Sequence, residues 1–188
     1  MKQIKSITNQ NIISELKQFP HQGILWEIIE NQVGGKIFQL SGNVIMITEN
    51  GDDPFIFIAG KLSHSDIEIL TGFVKDFEFP MLHCNKKYHP LFLDNGWNFH
   101  IRTTLNLKNI HTNITIDDSL EILKIDSSDI LRKCIKYKEL IKIYGNEEIC
   151  LKYGMGYALF LKNGNLVSES YAALGAGYGE IHVYTDPN

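Results

Sequence analysis

The chain has 188 residues, 44% of them hydrophobic and 21% charged, which is enough apolar side chain to bury a substantial core and excludes a disordered tail or linker. With 18 Lys+Arg against 22 Asp+Glu the formal net charge is −4, so no basic footprint argues for a nucleic-acid partner. The three cysteines, Cys84, Cys134 and Cys150, are odd in number and widely spaced, and the first twenty residues hold no uninterrupted apolar stretch of signal-peptide kind. No window approaches the ~18 consecutive apolar residues of a spanning helix. The expectation is a soluble cytoplasmic protein with reduced thiols and no membrane partner.

Along the chain the opening reads as helical. Ile12, Ile13, Leu16 and Phe19 recur at helical spacing behind Asn9 or Asn11 as a cap, and Pro20 ends the run. A second apolar stripe, Ile24, Leu25, Ile28 and Ile29, stops at Gly34 and Gly35. From residue 36 the period changes to two: 36–40, 43–48 and 54–60 are β-branched and aromatic runs divided by turn residues, which predicts an antiparallel meander. Ser63 or Ser65 then caps a helix carrying Ile67, Leu70, Phe73, Val74 and Phe77. Pro80 opens a short strand over 81–84, a helical segment comes next near 88–94, and Asn95-Gly96 turns into a long strand over 97–107.

Residues 108–118 are polar and weakly patterned, and the division falls there: an N-terminal α+β unit over 1–117 and a second unit over 118–188. In the second unit 120–125 alternates as a strand. Ser127 and Ser128 offer caps, 130–144 carries a mixed helical pattern ended by Gly145, and 146–153 suggests one further short helix. Strands over 156–161, 166–173 and 179–185 complete the expected order.

Several constellations invite chemistry. Gly175-Ala176-Gly177-Tyr178-Gly179 is glycine-rich, but a phosphate-cradling loop must lead into a helix, and residues 180–185 are strand-like; the expectation is a hairpin turn. His83, Cys84, His89 and His100 are the right donor types for a metal, yet their spacing matches no closed ligand pattern, and no metal is expected. Asn113-Ile114-Thr115 matches a glycosylation acceptor by chance. Glu180 stands near the start of the last strand, after three glycines. A carboxylate there either relays a proton from an amine, directly or through water, or is an exposed strand glutamate, and position alone does not choose.

The run Tyr157 to Ala173, followed by Gly179-Glu180-Ile181-His182-Val183-Tyr184-Thr185-Asp186-Pro187-Asn188, resembles the middle of a GNAT-superfamily N-acetyltransferase, of the bacterial subgroup with an extra N-terminal α+β half. The resemblance covers about 120–188 in the order of elements and in the Val183-Tyr184-Thr185-Asp186-Pro187 phrase. Residues 80–107, with Asn95-Gly96-Trp97 at the turn, resemble the closing half of a degenerate GNAT domain. The fold this implies is α+β: a mixed, mostly antiparallel GNAT-like sheet with flanking helices, in a degenerate N-terminal half and a partial C-terminal half.

The resemblance further implies acyl transfer from acetyl-CoA to a small-molecule or peptide amine, with no metal. By the same resemblance Glu180 would be the catalytic carboxylate, and the backbone groups of Val183, Tyr184 and Thr185 would bind the acetyl and pantetheine arm. The family's glycine-bearing pyrophosphate loop comes after the Asp-Pro phrase, and the sequence stops at Asn188, before it. The expectation is therefore a truncated enzyme whose last strand presents an open edge, suited to a homodimer. The alternative is a non-catalytic GNAT-like scaffold that binds a partner or small ligand. The slight overall excess of acid over base gives no argument for a cationic acceptor.

Overall fold

The computed structural model describes residues 1–99, 115 and 117–185. Most of the predicted strand over 97–107, most of the linker over 108–118, and residues 186–188 lie outside the described residues. Residues 97–99, which are described, are not in a strand.

The chain builds two sheets. The first is formed by β1 (Lys2–Ile4), β2 (Gly35–Ser41), β3 (Val44–Glu49), β4 (Phe55–Ala59) and β5 (Met81–Cys84), side by side in that order. Its first four strands are antiparallel: β2 to β4 are the expected three-strand meander, and β1, which the sequence pattern does not predict, adds to its edge. β5 returns parallel to β4 after the crossover helix α3 (His64–Val74), pairing Phe55 with Met81 and Ile58 with Cys84.

Strands β3 and β4 are buried along almost their whole length, which the expected period of two does not describe. The reason is a second covered face. Ile45, Ile47, Phe55 and Phe57 pack with Ile12, Leu16, Ile24 and Leu25 of α1 (Gln10–Leu16) and α2 (Gln22–Trp26). Met46, Ile56 and Ile58 pack on the other side with Ile67, Leu70 and Val74 of α3 and with Phe92 of α4 (His89–Leu93). A strand covered twice reads as a continuous apolar run.

Local chemistry sets the helix starts. Asn9 accepts from Asn11 N at 3.0 Å. Ser63 and Asp66 form a reciprocal capping box, with Ser63 N donating to Asp66 Oδ2 at 2.8 Å.

The second sheet runs β6 (Leu120–Lys124), β7 (Met155–Leu161), β8 (Leu166–Gly175) and β9 (Tyr178–Thr185), antiparallel throughout. Its inner face is covered by α5 (Ser128–Leu131), α6 (Tyr137–Tyr144) and α7 (Glu147–Tyr153), through Leu131, Cys134, Leu140 and Cys150 against Ala158 and Phe160. The single helical pattern expected over 130–144 is split because buried Glu169 on β8 captures two amides between the pieces, accepting from Ile135 N at 2.6 Å and Lys136 N at 2.8 Å. The outer face carries Ile122, Met155, Tyr157, Ile181 and Val183, all exposed. No described helix is long and apolar enough to cross a membrane.

The mostly antiparallel α+β architecture with flanking helices expected from sequence is what the chain adopts. α2 spans the two sheets: it belongs to the core of the first and packs directly on β8 and β9 of the second.

Candidate functional site

The site is built where α2 meets β8 and β9. The two strands are joined by a two-residue turn closed by the pair Gly175 and Tyr178, with Ala176 and Gly177 both at positive φ (47° and 78°). This is a type I′ hairpin turn, whose twist suits antiparallel strands. The glycine-rich segment is therefore a turn, and one of its amides, Ala176 N, donates to Glu30 at 2.8 Å.

Two glycines admit α2. A Cβ on Gly23 would lie 2.6 Å from Ala173 O and 2.8 Å from Glu180 N, and one on Gly175 would lie 2.3 Å from Glu27 N. Without side chains at these places the helix backbone rests on the strands themselves.

That contact brings His21 to Glu180. His21 precedes α2 in a left-handed conformation (φ 59°, ψ 44°), which is sparsely populated by residues with a Cβ and is held only where surroundings enforce it. Its Nδ1 hydrogen-bonds Glu180 Oε1, with both side chains about four-fifths buried. A carboxylate acceptor places the ring proton on Nδ1 and leaves Nε2 as the other ring nitrogen. The imidazole lies 4.3 Å from the ring centroid of Phe55 and 5.1 Å from that of His83. Glu180 Oε2 is buried with no hydrogen-bond partner among the described residues.

Alternation along β9 sorts its side chains onto two faces. Glu180, His182 and Tyr184 look into a cavity of about 820 Å³ between the two sheets, whereas Ile181 and Val183 are each 65% exposed on the outer face. Contacts from the β3–β4 loop to α6 bridge the rim of the cavity: Asn50 Nδ2 donates to Ile143 O at 2.9 Å, and Lys142 pairs with Asp52. Lys136 pairs with Glu139 at 2.7 Å and lies over the Tyr184 ring at 4.5 Å.

Deeper in, Glu27 accepts from Tyr144 Oη at 3.1 and 3.3 Å, and Glu49 accepts from Phe55 N at 3.4 Å. Burial pushes the Glu27 carboxyl up to about 7, and the Tyr144 hydrogen bond only partly opposes it. Burial pushes Glu49 up to about 8, with repulsion from Glu180, Glu139 and Glu27 adding to it. Burial also raises the Tyr144 hydroxyl, with the Glu27 charge reinforcing the effect.

The four residues singled out from sequence lie together on β9, in two orientations. The Glu180 and Tyr184 side chains face the cavity; Val183 and Thr185 present theirs to the outer face. The Tyr184 carbonyl is turned toward β8, where Ser168 Oγ donates to it at 2.8 Å. Because backbone groups alternate along a strand, the N–H and C=O groups of Val183 and Thr185 point to the side away from β8. Among the described residues β9 has no second neighbour, so these groups lie on an open edge. An extended ligand can pair with such an edge through its own amides, as an added strand would. No group of three His, Cys, Asp or Glu side chains among the described residues is placed to hold a metal.

His21 is the functional candidate that sequence reasoning missed. Its partner is 159 residues away, and the only local signal is a histidine set between Pro20 and the Gln22-Gly23 pair.

No family model matches the sequence, and no curated protein matches it. Among solved structures the chain is similar to a GCN5-related N-acetyltransferase-like protein from Streptococcus suis 89/1591. The TM-score is 0.66 and the identity 18%, over 95% of this chain and 75% of that one. At that identity the likeness establishes the fold: the chain has the GNAT-type α+β fold.

Proposed function

We propose that this protein transfers an acetyl group from acetyl-CoA to an amine within a ternary complex formed in the cavity between the sheets. The acyl-transfer fold class supports the reading in general terms. The observation that carries it is the convergence on one strand of a backbone edge at Val183 and Thr185, unpaired among the described residues, with an inward carboxylate at Glu180. The edge holds the acyl arm, and the carboxylate, paired with His21, faces the acceptor.

In the reaction the amine nitrogen attacks the thioester carbonyl, the C–N bond forms and the C–S bond breaks. The amine proton passes to Glu180, directly or through water, and the coenzyme leaves as a thiolate that takes up a proton. Three free cysteines accord with a cytoplasmic setting. Use of the β9 edge by the donor and its use in a strand-to-strand dimer exclude each other, so donor binding should suppress any such dimer in sedimentation experiments.

Isothermal titration of acetyl-CoA tests the proposal. Micromolar binding, about −8 kcal/mol, is expected. Glu180→Gln should retain that binding and lower the transfer rate by about 10²- to 10⁴-fold. Absence of heat at millimolar acetyl-CoA overturns the proposal.

A further inference from the structure

The whole-chain charge balance says nothing about the acceptor, but the cavity concentrates what the sequence disperses. Its inner part is lined by Glu27, Glu49 and Glu180, drawn from three separate segments. Of the three lysines lining the cavity, Lys136 and Lys142 are engaged by Glu139 and Asp52, and Lys138 is the third.

Phe55 touches both Glu49 and the His21–Glu180 pair. The Phe55 ring packs on His21 at 4.3 Å, and the Phe55 amide donates to Glu49 Oε2 at 3.4 Å. Ile24 and Met81 also line the cavity. Phe55, Ile24 and Met81 thus supply apolar surface beside the two carboxylates.

We propose that the acceptor is a short linear diamine, its reacting amine at Glu180 and His21, its methylenes along Phe55, and its second ammonium at Glu49. The inference rests on the acyl-transfer reading for the role of the first amine, while the binding preference stands separately from it. One unpaired atom and the space in front of it leave room for a ligand's ammonium. Glu180 Oε2 is buried in the cavity with its hydrogen-bonding capacity unused among the described residues. The cavity, at about 820 Å³, is also amply sized for a small ligand. Burial and mutual repulsion leave the Glu49 carboxyl largely protonated at neutral pH, a state that an arriving ammonium reverses, so that binding releases a proton. An acceptor carrying its own carboxylate, such as an amino acid, brings no ammonium to Glu49 and buries a further acidic group beside it.

The test compares three probes of similar length by calorimetry and ligand-observed NMR: a four-methylene diamine, n-butylamine and a linear ω-amino acid. The diamine is expected to bind at least tenfold more tightly than butylamine and the amino acid more weakly than either, with proton release, measured in two buffers, for the diamine alone. Glu49→Gln should bring the diamine-to-butylamine ratio close to one. Equal affinities for diamine and butylamine in the unaltered protein overturn the inference whatever the variant does, and so does tightest binding by the amino acid. Acetylation of all three probes with equal kcat/KM overturns the diamine assignment and leaves acyl transfer standing. Diamine-selective binding without any transfer does the reverse.

Discussion

Replacing Gly23 by alanine should disconnect His21 from Glu180 without touching either side chain's chemistry. The added Cβ would lie 2.6 Å from Ala173 O, 2.8 Å from Glu180 N and 2.9 Å from Glu180 Cβ, and the first two are backbone atoms of paired strands that cannot swing aside. Restoring the shortest contact to an ordinary 3.4 Å requires α2 to rise by about 0.8 Å. Overpacking of this kind costs about 1–3 kcal/mol. In a protein of this size about 2 kcal/mol lowers the melting temperature by roughly 4–8 °C. Gly72 of α3 is the control, since a Cβ there meets nothing within 4 Å. Gly72→Ala should stabilise by about 0.5–1 kcal/mol, through helix propensity alone. Thermal unfolding followed by circular dichroism gives both numbers, and the imidazole signals of His21 report whether its bond to Glu180 survives. A Gly23→Ala protein that melts within a degree of the parent and keeps that bond would refute the close-contact argument.

The cavity carboxyls give a pH dependence. Both Glu27 and Glu49 hold their protons more tightly in the folded chain than in the unfolded one, so their contribution is present below about pH 4.5 and is lost as pH rises through about 7 and 8. Urea midpoints should therefore fall from pH 5 to pH 8 by a loss on the order of a few kcal/mol, and Glu49→Gln should flatten the upper part of that fall. Glu147, held down to about 2 chiefly by the Arg132 hydrogen bonds, acts only below pH 4.5 and does not disturb this window. Glu169→Ala removes the acceptor of two amides and should cost about 3 kcal/mol in urea denaturation, with Glu169→Gln costing less because one acceptor oxygen remains.

What could be read from the sequence is what local rules decide. The caps at Asn9, Ser63 and Ser127 arise from a side-chain oxygen within reach of amides two or three residues on. That Glu180, His182 and Tyr184 share one face of β9 comes from alternation, but which face turns inward does not, since the apolar Ile181 and Val183 are the exposed ones. What could not be read depends on partners distant in the chain. Strand β1 has three residues and no period, and it exists through its pairing with 37–39. The π-helical turn over Glu27–Asn31 begins where Gly175 presses on the backbone of Trp26 and Glu27. The break between α5 and α6 is made by Glu169, and the double burial of β3 and β4 by helices on opposite sides. His21 belongs with these, since nothing near it in sequence announces Glu180.

The two-residue turn at Ala176-Gly177 has a consequence for how the protein can vary. It is pinned by Glu30 on the amide of Ala176 and by the backbone of Trp26 against Gly175, so the strand after it has no freedom to slide. A single inserted residue would turn that strand over, offering Ile181 and Val183 to the interior and sending Glu180, His182 and Tyr184 to the solvent. The hairpin can change its composition far more readily than its length, because one added peptide unit inverts the chemistry of the cleft.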